Sequence, residues 1–177
     1  MSDPLGLLTA RALRGVWREQ PPTPQLSPTE LAHIAPHLLA SACSGLAWRA
    51  IAGTPSLAET SAGSSLRDAA RLHLLQAGLH DLRLDAVLAL ADDLGLEPIL
   101  VKGWTLARRY PARGLRPYGD VDLVLPAPDG ERMRAALDAR PHDDRWVDVD
   151  LDHAFLRADR TPVADLWERS VVDTTGP

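Results

Sequence analysis

Apolar residues recur at helical spacing through the first half of the chain and give way near residue 98 to short runs suited to β-strands. Over residues 5–18, Leu5, Leu8, Ala12 and Val16 mark one face of a short amphipathic helix. Pro21, Pro22, Pro24 and Pro28 then impose an extended linker from Gln20 onward. Ser27-Pro28-Thr29-Glu30 restarts the helix, with a hydroxyl at the N-cap, proline in the first turn and a carboxylate placed to reach back to the cap. That helix is expected from Pro28 to about Ala35. Pro36 either kinks it or opens the next helix, which would align Leu38, Leu39, Ala42, Leu46 and Ala50 along one side. Gly53 to Ser65, rich in Gly, Ser, Thr and Pro, reads as a loop.

The longest helical segment follows. Leu66 to Leu94 holds no proline and one glycine, with apolar residues at 66, 70, 74, 77, 84, 87, 88, 91 and 94, and Gly95 is suited to end it. Leu96-Glu97-Pro98 leads into a strand, Pro98 to Val101, which stops at Lys102-Gly103 before a helix start at Trp104. A second apolar strand, Val121 to Leu125, is entered through Asp120 and Asp122. Pro126 to Asp129 turns into a helix over about Gly130 to Ala139, with Met133, Ala136 and Leu137 inward. Trp146 to Leu151 alternates apolar residues with Asp, and Ala154–Arg157 and Val163–Trp167 flank Asp159-Arg160-Thr161-Pro162 as a β-hairpin. The class is α+β: a helical region over about 1–94, packed on a small mixed sheet over about 95–173, with a disordered tail at 174–177.

Composition narrows this little. A chain of 177 residues makes one domain or two small ones, and 45% hydrophobic with 24% charged residues is ordinary for a globular protein. A net charge of −5 opposes a main role in gripping nucleic-acid backbone. The single cysteine, Cys43, excludes an intrachain disulfide. With no basic leader ahead of an apolar segment, and no apolar stretch of about 18 residues, the expectation is a cytoplasmic protein without a membrane role.

The chemistry concentrates in two places. At the strand end, Gly103 permits close approach of a ligand to the backbone, the following helix start offers outward N–H groups, and Lys102 adds a positive charge, a combination suited to phosphate. Asp120 and Asp122 sit two apart on a strand, so both point to one face with Cα atoms roughly 6.6 Å apart. Paired carboxylates at the mouth of an otherwise apolar strand suit divalent cations. A third carboxylate on a neighbouring strand would complete a two-metal site. Asp165, alone among Val163, Ala164, Leu166 and Trp167, fits that place and could also act as a base, with Glu168 as the fallback. Arg116, four residues before Asp120, is placed to meet a triphosphate or to buttress an Asp. Asp148-Val149-Asp150-Leu151-Asp152 has calcium-loop spacing, but His153 stands where that loop requires glycine, and the run reads as a solvated strand face. His33 and His37 are four apart, yet Pro36 between them spoils a helical zinc geometry.

The run from about Leu82 to Pro126 resembles the uncharacterised nucleotidyltransferase family of the DNA polymerase beta superfamily. The resemblance is carried by a long helix, then Ile99-Leu100-Val101-Lys102-Gly103, Tyr110-Pro111, Arg116 and Asp120-Val121-Asp122-Leu123-Val124. Where the family has an acidic residue followed by His-Trp, this chain has Asp165-Leu166-Trp167. The resemblance implies a polymerase-beta-like sheet and transfer of a nucleoside monophosphate from an NTP, with ATP the first candidate, to an acceptor hydroxyl, releasing pyrophosphate. It further implies Mg2+ or Mn2+ on Asp120, Asp122 and Asp165, with Lys102-Gly103 in place of a Gly-Ser phosphate turn and Thr105 supplying its hydroxyl. The acceptor would be a small molecule or a peptide or protein, in natural-product biosynthesis by analogy, and not a nucleic acid. Members of the family continue into further helices, so a partner protein or a second copy is expected to complete the acceptor pocket. The competing expectation is a non-catalytic binding module that keeps the fold.

Overall fold

The structure is a computed structural model, and it describes residues 5–140, 149–152 and 168. The hairpin expected over 154–167, with Asp165, and the tail at 174–177 lie outside the described residues. The elements run α1 (Leu5–Leu13), α2 (Pro28–Ala40), α3 (Ser44–Ile51), α4 (Pro55–Ala58), α5 (Ser61–Asp93), β1 (Ile99–Val101), α6 (Gly103–Ala107), β2 (Val121–Val124), α7 (Ala127–Asp138) and β3 (Val149–Asp152). The class is α+β, and the small mixed sheet is compatible with a polymerase-beta-like nucleotidyltransferase. The chain forms two compact units, one of residues 1–77 with 106–117, the other of 78–105 with 118–177.

In the first unit the expected capping box is present. Ser27 Oγ accepts from the Glu30 amide at 3.2 Å, and Glu30 Oε2 accepts from the Ser27 amide at 2.7 Å. The Ser27 hydrogen bonds hold the Glu30 carboxyl below its ordinary range, with a smaller contribution from Arg11. Helix α2 runs on through Pro36 to Ala40, past the expected stop near Ala35. Its real end has no glycine or proline to announce it. Ala42 takes a left-handed conformation, φ 55°, while the Cys43 amide donates to Leu38 O and the Ala42 amide to Leu39 O, which closes a Schellman motif. The expected continuous helix through Leu38 to Ala50 is therefore two helices. α1 is also shorter than its apolar pattern, ending at Leu13. The segment after it is held by Arg49, which donates to the carbonyls of Val16, Arg18 and Glu19 at 3.2, 2.9 and 2.8 Å.

The expected loop over 53–65 is helical for much of its length, as α4 and the first turn of α5. Thr60 Oγ1 caps the Gly63 amide at 3.0 Å. Gly63 packs tightly against α4: a Cβ there would lie 2.3 Å from Leu57 O and 2.6 Å from Ala58 O. The small residues that suggested a loop are thus a close contact between helices. Leu8, Leu31, Ile34, Leu38, Ile51, Leu57 and Leu66 make this unit's core.

In the second unit the C-terminal part of α5 places Leu84, Val87, Leu90 and Ala91 against one face of the sheet. Gly95, φ 63°, ends the helix as expected, and the Leu96 amide donates to Ala91 O at 2.8 Å. β2 is the central strand, antiparallel to β1 with Val101 opposite Asp122, and parallel to β3 with Asp122 opposite Asp150. Leu100, Val121, Leu123, Val149 and Leu151 share the core face with Met133 of α7. Strand alternation sends Asp122 and Asp150 to the other face.

Candidate functional site

Asp122 is 3% exposed in a strand buried along its whole length, a position a carboxylate holds only with a partner. Lys102 supplies one: its Nζ lies 2.6 Å from Asp122 Oδ1. The lysine reaches this position from a left-handed backbone conformation, φ 55°, immediately after β1. A side chain with a Cβ is strained there, and such strain at a turn persists when the surroundings fix it.

Asp120 lies two residues back on the same face, and Asp150 comes from the neighbouring parallel strand. Oxygens of the three carboxylates all lie within 4.8 Å of one another. Burial first, then the negative charges of Asp122 and Asp150, raise the Asp120 carboxyl above its ordinary value, with Lys102 acting in the opposite direction. Three convergent acidic oxygen donors, one of them buried, form a hard donor set of the kind Mg2+ or Mn2+ takes. A divalent cation would relieve the repulsion that one lysine offsets only in part. Asp150 is the residue that sequence reasoning passed over. Its Asp-x-Asp alternation resembled any half-exposed strand, and Asp150 is indeed exposed. What distinguishes it is parallel pairing with the Asp122 strand, a non-local fact.

The turn after β1 is built differently from a plain phosphate cradle. Gly103 is buried, and a Cβ on it would lie 2.8 Å from the Cβ of Tyr118, so the glycine makes room for Tyr118. Trp104, 7% exposed, donates from Nε1 to Asp81 Oδ1 at 2.9 Å, and Tyr118 stacks on His80 with ring centroids 4.8 Å apart. These contacts lock the turn to α5. α6 is five residues long, so its dipole adds little to anion binding. Thr105 is exposed, and its hydroxyl donates to Lys102 O at 3.3 Å. Arg116 is half-buried and belongs to the first unit's segment. Glu168 is exposed. The structure thus brings Lys102, Asp120 and Asp122 together and adds Asp150, while Asp165 lies outside the described residues.

No helix among the described residues is long and apolar enough to cross a membrane. No curated protein and no solved structure matches the chain. The family model described as "Uncharacterised nucleotidyltransferase" matches residues 27–175, which takes in the capping box, the long helix and the strands and turns that carry Lys102 and the three carboxylates. By that match, over most of its length, the chain belongs to the uncharacterised nucleotidyltransferase family.

Proposed function

We propose that this chain is a metal-dependent nucleotidyltransferase that moves a nucleoside monophosphate from an NTP, ATP in the first instance, to a hydroxyl of a small molecule or a peptide or protein acceptor in the cytoplasm. The observation that carries the proposal is the meeting of Asp120, Asp122 and Asp150 within 4.8 Å on one sheet face, next to Lys102. Membership of a nucleotidyltransferase family supports the reaction class. The natural-product setting rests on analogy alone.

Asp120, Asp122 and Asp150 would hold Mg2+ or Mn2+, which when bound supplies charge neutralisation of the triphosphate and activation of the acceptor oxygen. Lys102 neutralises Asp122 before substrate arrives and is half exposed, so its ammonium is accessible to a phosphate oxygen. The turn at Gly103 and Thr105 fixes where Lys102 stands, and Arg116 is assigned to the triphosphate. Asp165 is assigned the acceptor's proton, with Glu168 in its stead if Asp165 proves dispensable. A partner protein or a second copy would complete the acceptor pocket.

Calorimetric titration with Mg-ATP and the other NTPs, followed by pyrophosphate release with candidate hydroxyl acceptors, tests this reading. Binding by the wild type that is lost in Asp120→Ala/Asp122→Ala supports it. No binding, or binding unchanged in the double variant, overturns it. Asp150→Asn and Asp165→Asn then assign the third carboxylate: the ligand variant loses metal affinity, and a variant of the base alone keeps it and loses turnover.

A further inference from the structure

Helix α5 turns a second apolar row outward. Leu72, Leu75, Leu79 and Leu82 are 54%, 68%, 55% and 67% exposed, while Ala77 and Leu84, on the opposite side of the same helix, are buried. The spacing of three, four and three residues is the a/d seam of a coiled coil, carried over about 15 Å of one unbroken helix. Isolated exposed leucines are ordinary, but four in one row mark a surface that meets another apolar surface.

We propose that this row is the self-association face of the protein, closed by α5 of a second copy running antiparallel. Two observations select a second copy in that orientation. Aligned about Ala77, Leu72 layers with the partner's Leu82 and Leu75 with the partner's Leu79, so every leucine of the row is covered by a leucine of the partner. The residues flanking the seam are then complementary: Arg71 comes beside the partner's Asp85, and Asp85 beside the partner's Arg71. A parallel alignment would set Arg71 against Gln76 and Gly78 against Arg83, with no opposite charges. Within its own chain Arg71 pairs only loosely with Asp68, at 3.5 Å and with both side chains well exposed, so it is available to a partner at little cost.

Gly78 fits the same arrangement. A mid-helix glycine weakens a helix, and among the described residues a Cβ on Gly78 would meet nothing within 4 Å, so their packing does not require it. In the antiparallel pair it faces the partner's Gly78 at the midpoint, where the absence of a side chain lets the helices approach closely. The seam is short beside a standard interface of roughly 1,600 Å², so the dimer is weak and dissociates on dilution.

Sedimentation velocity of the whole chain from about 1 to about 200 µM tests the proposal. The expected result is a monomer–dimer equilibrium, abolished by Leu75→Ser/Leu79→Ser with the helical circular dichroism retained. Arg71→Asp and Asp85→Arg should each weaken the dimer about fivefold, and the two together should restore it. In a Cys43→Ser background, Gln76→Cys should cross-link to itself, because the antiparallel alignment sets position 76 beside its copy. A monomer throughout the range, whether the row is then covered by the chain's own C-terminal segment or by a foreign protein, overturns the proposal. So does a dimer indifferent to the serine pair, or a charge swap that fails to restore association.

Discussion

Replacing Lys102 with Met removes an ammonium that opposes Asp122 while keeping most of the apolar stem. The ammonium lies 2.6 Å from the carboxylate, with Lys102 51% and Asp122 3% exposed. An exposed ion pair contributes about 0–1 kcal/mol. Breaking a buried pair by deleting one partner costs about 3–5 kcal/mol, because the remaining charge is stranded. With one partner buried and the other half in water, the expected loss is intermediate, about 2 kcal/mol. Lys102→Gly makes the same deletion but also relieves the left-handed backbone, which costs a residue with a Cβ roughly 1 kcal/mol, so it should lose about 1 kcal/mol less. The assay is urea unfolding with a chelator present and again with Mg2+ in excess. In chelator, Lys102→Met should unfold at lower urea than Lys102→Gly, and both below wild type. In Mg2+ the deficit of both variants should shrink, because a divalent cation replaces the missing charge. A Lys102→Met midpoint equal to wild type in chelator would refute the electrostatic account. A Mg2+ shift equal in all three proteins would refute the shared cation site.

Asp120→Asn should stabilise the metal-free protein near neutral pH, since the fold disfavours the charged carboxyl; thermal unfolding in chelator checks this, and the advantage should disappear in Mg2+. Glu30 behaves oppositely. Its carboxyl is held below the ordinary value, so its stabilisation is full above pH 4.5 and is lost as pH falls through the lowered folded-state value; Glu30→Gln should be less stable than wild type at pH 7, with the gap closing in acid. Gly63→Ala should cost about 2–3 kcal/mol by denaturant unfolding, because the new methyl meets the fixed carbonyls of Leu57 and Ala58.

The parts of this fold written in local chemistry were legible. Ser27 and Glu30 fixed the start of α2, Gly95 the end of α5, and the apolar runs around 100 and 123 the two strands that carry Lys102 and the paired aspartates. The misreadings share a physical origin, in that each turned on a contact that residue type alone does not announce. Ala42 adopts a glycine-like conformation because the motif around it satisfies backbone carbonyls, and the residue type gives no hint of it. Gly63 looked like a loop residue, yet it is a site of close approach between helices. Asp150 lay in a pattern typical of solvated strands, and only its pairing with Asp122 brings it to the site. At Gly103 the glycine was legible and its neighbour was not: the space it leaves is filled by Tyr118.

The parallel pairing of β2 with β3 has a consequence for how the protein assembles. An antiparallel hairpin could place a third carboxylate within a few residues, whereas a parallel partner arrives only after the chain has passed through α7, with Asp150 twenty-eight residues beyond Asp122. During synthesis Asp120 and Asp122 are therefore present before the strand that adds the third negative charge, and docking that strand means bringing like charges together. A cation already held by the first two aspartates would turn that last step from repulsion into attraction. The ion would then act as a folding ligand for β3 beside the role proposed for it in chemistry, and cells poor in it would be expected to accumulate chains with β3 undocked.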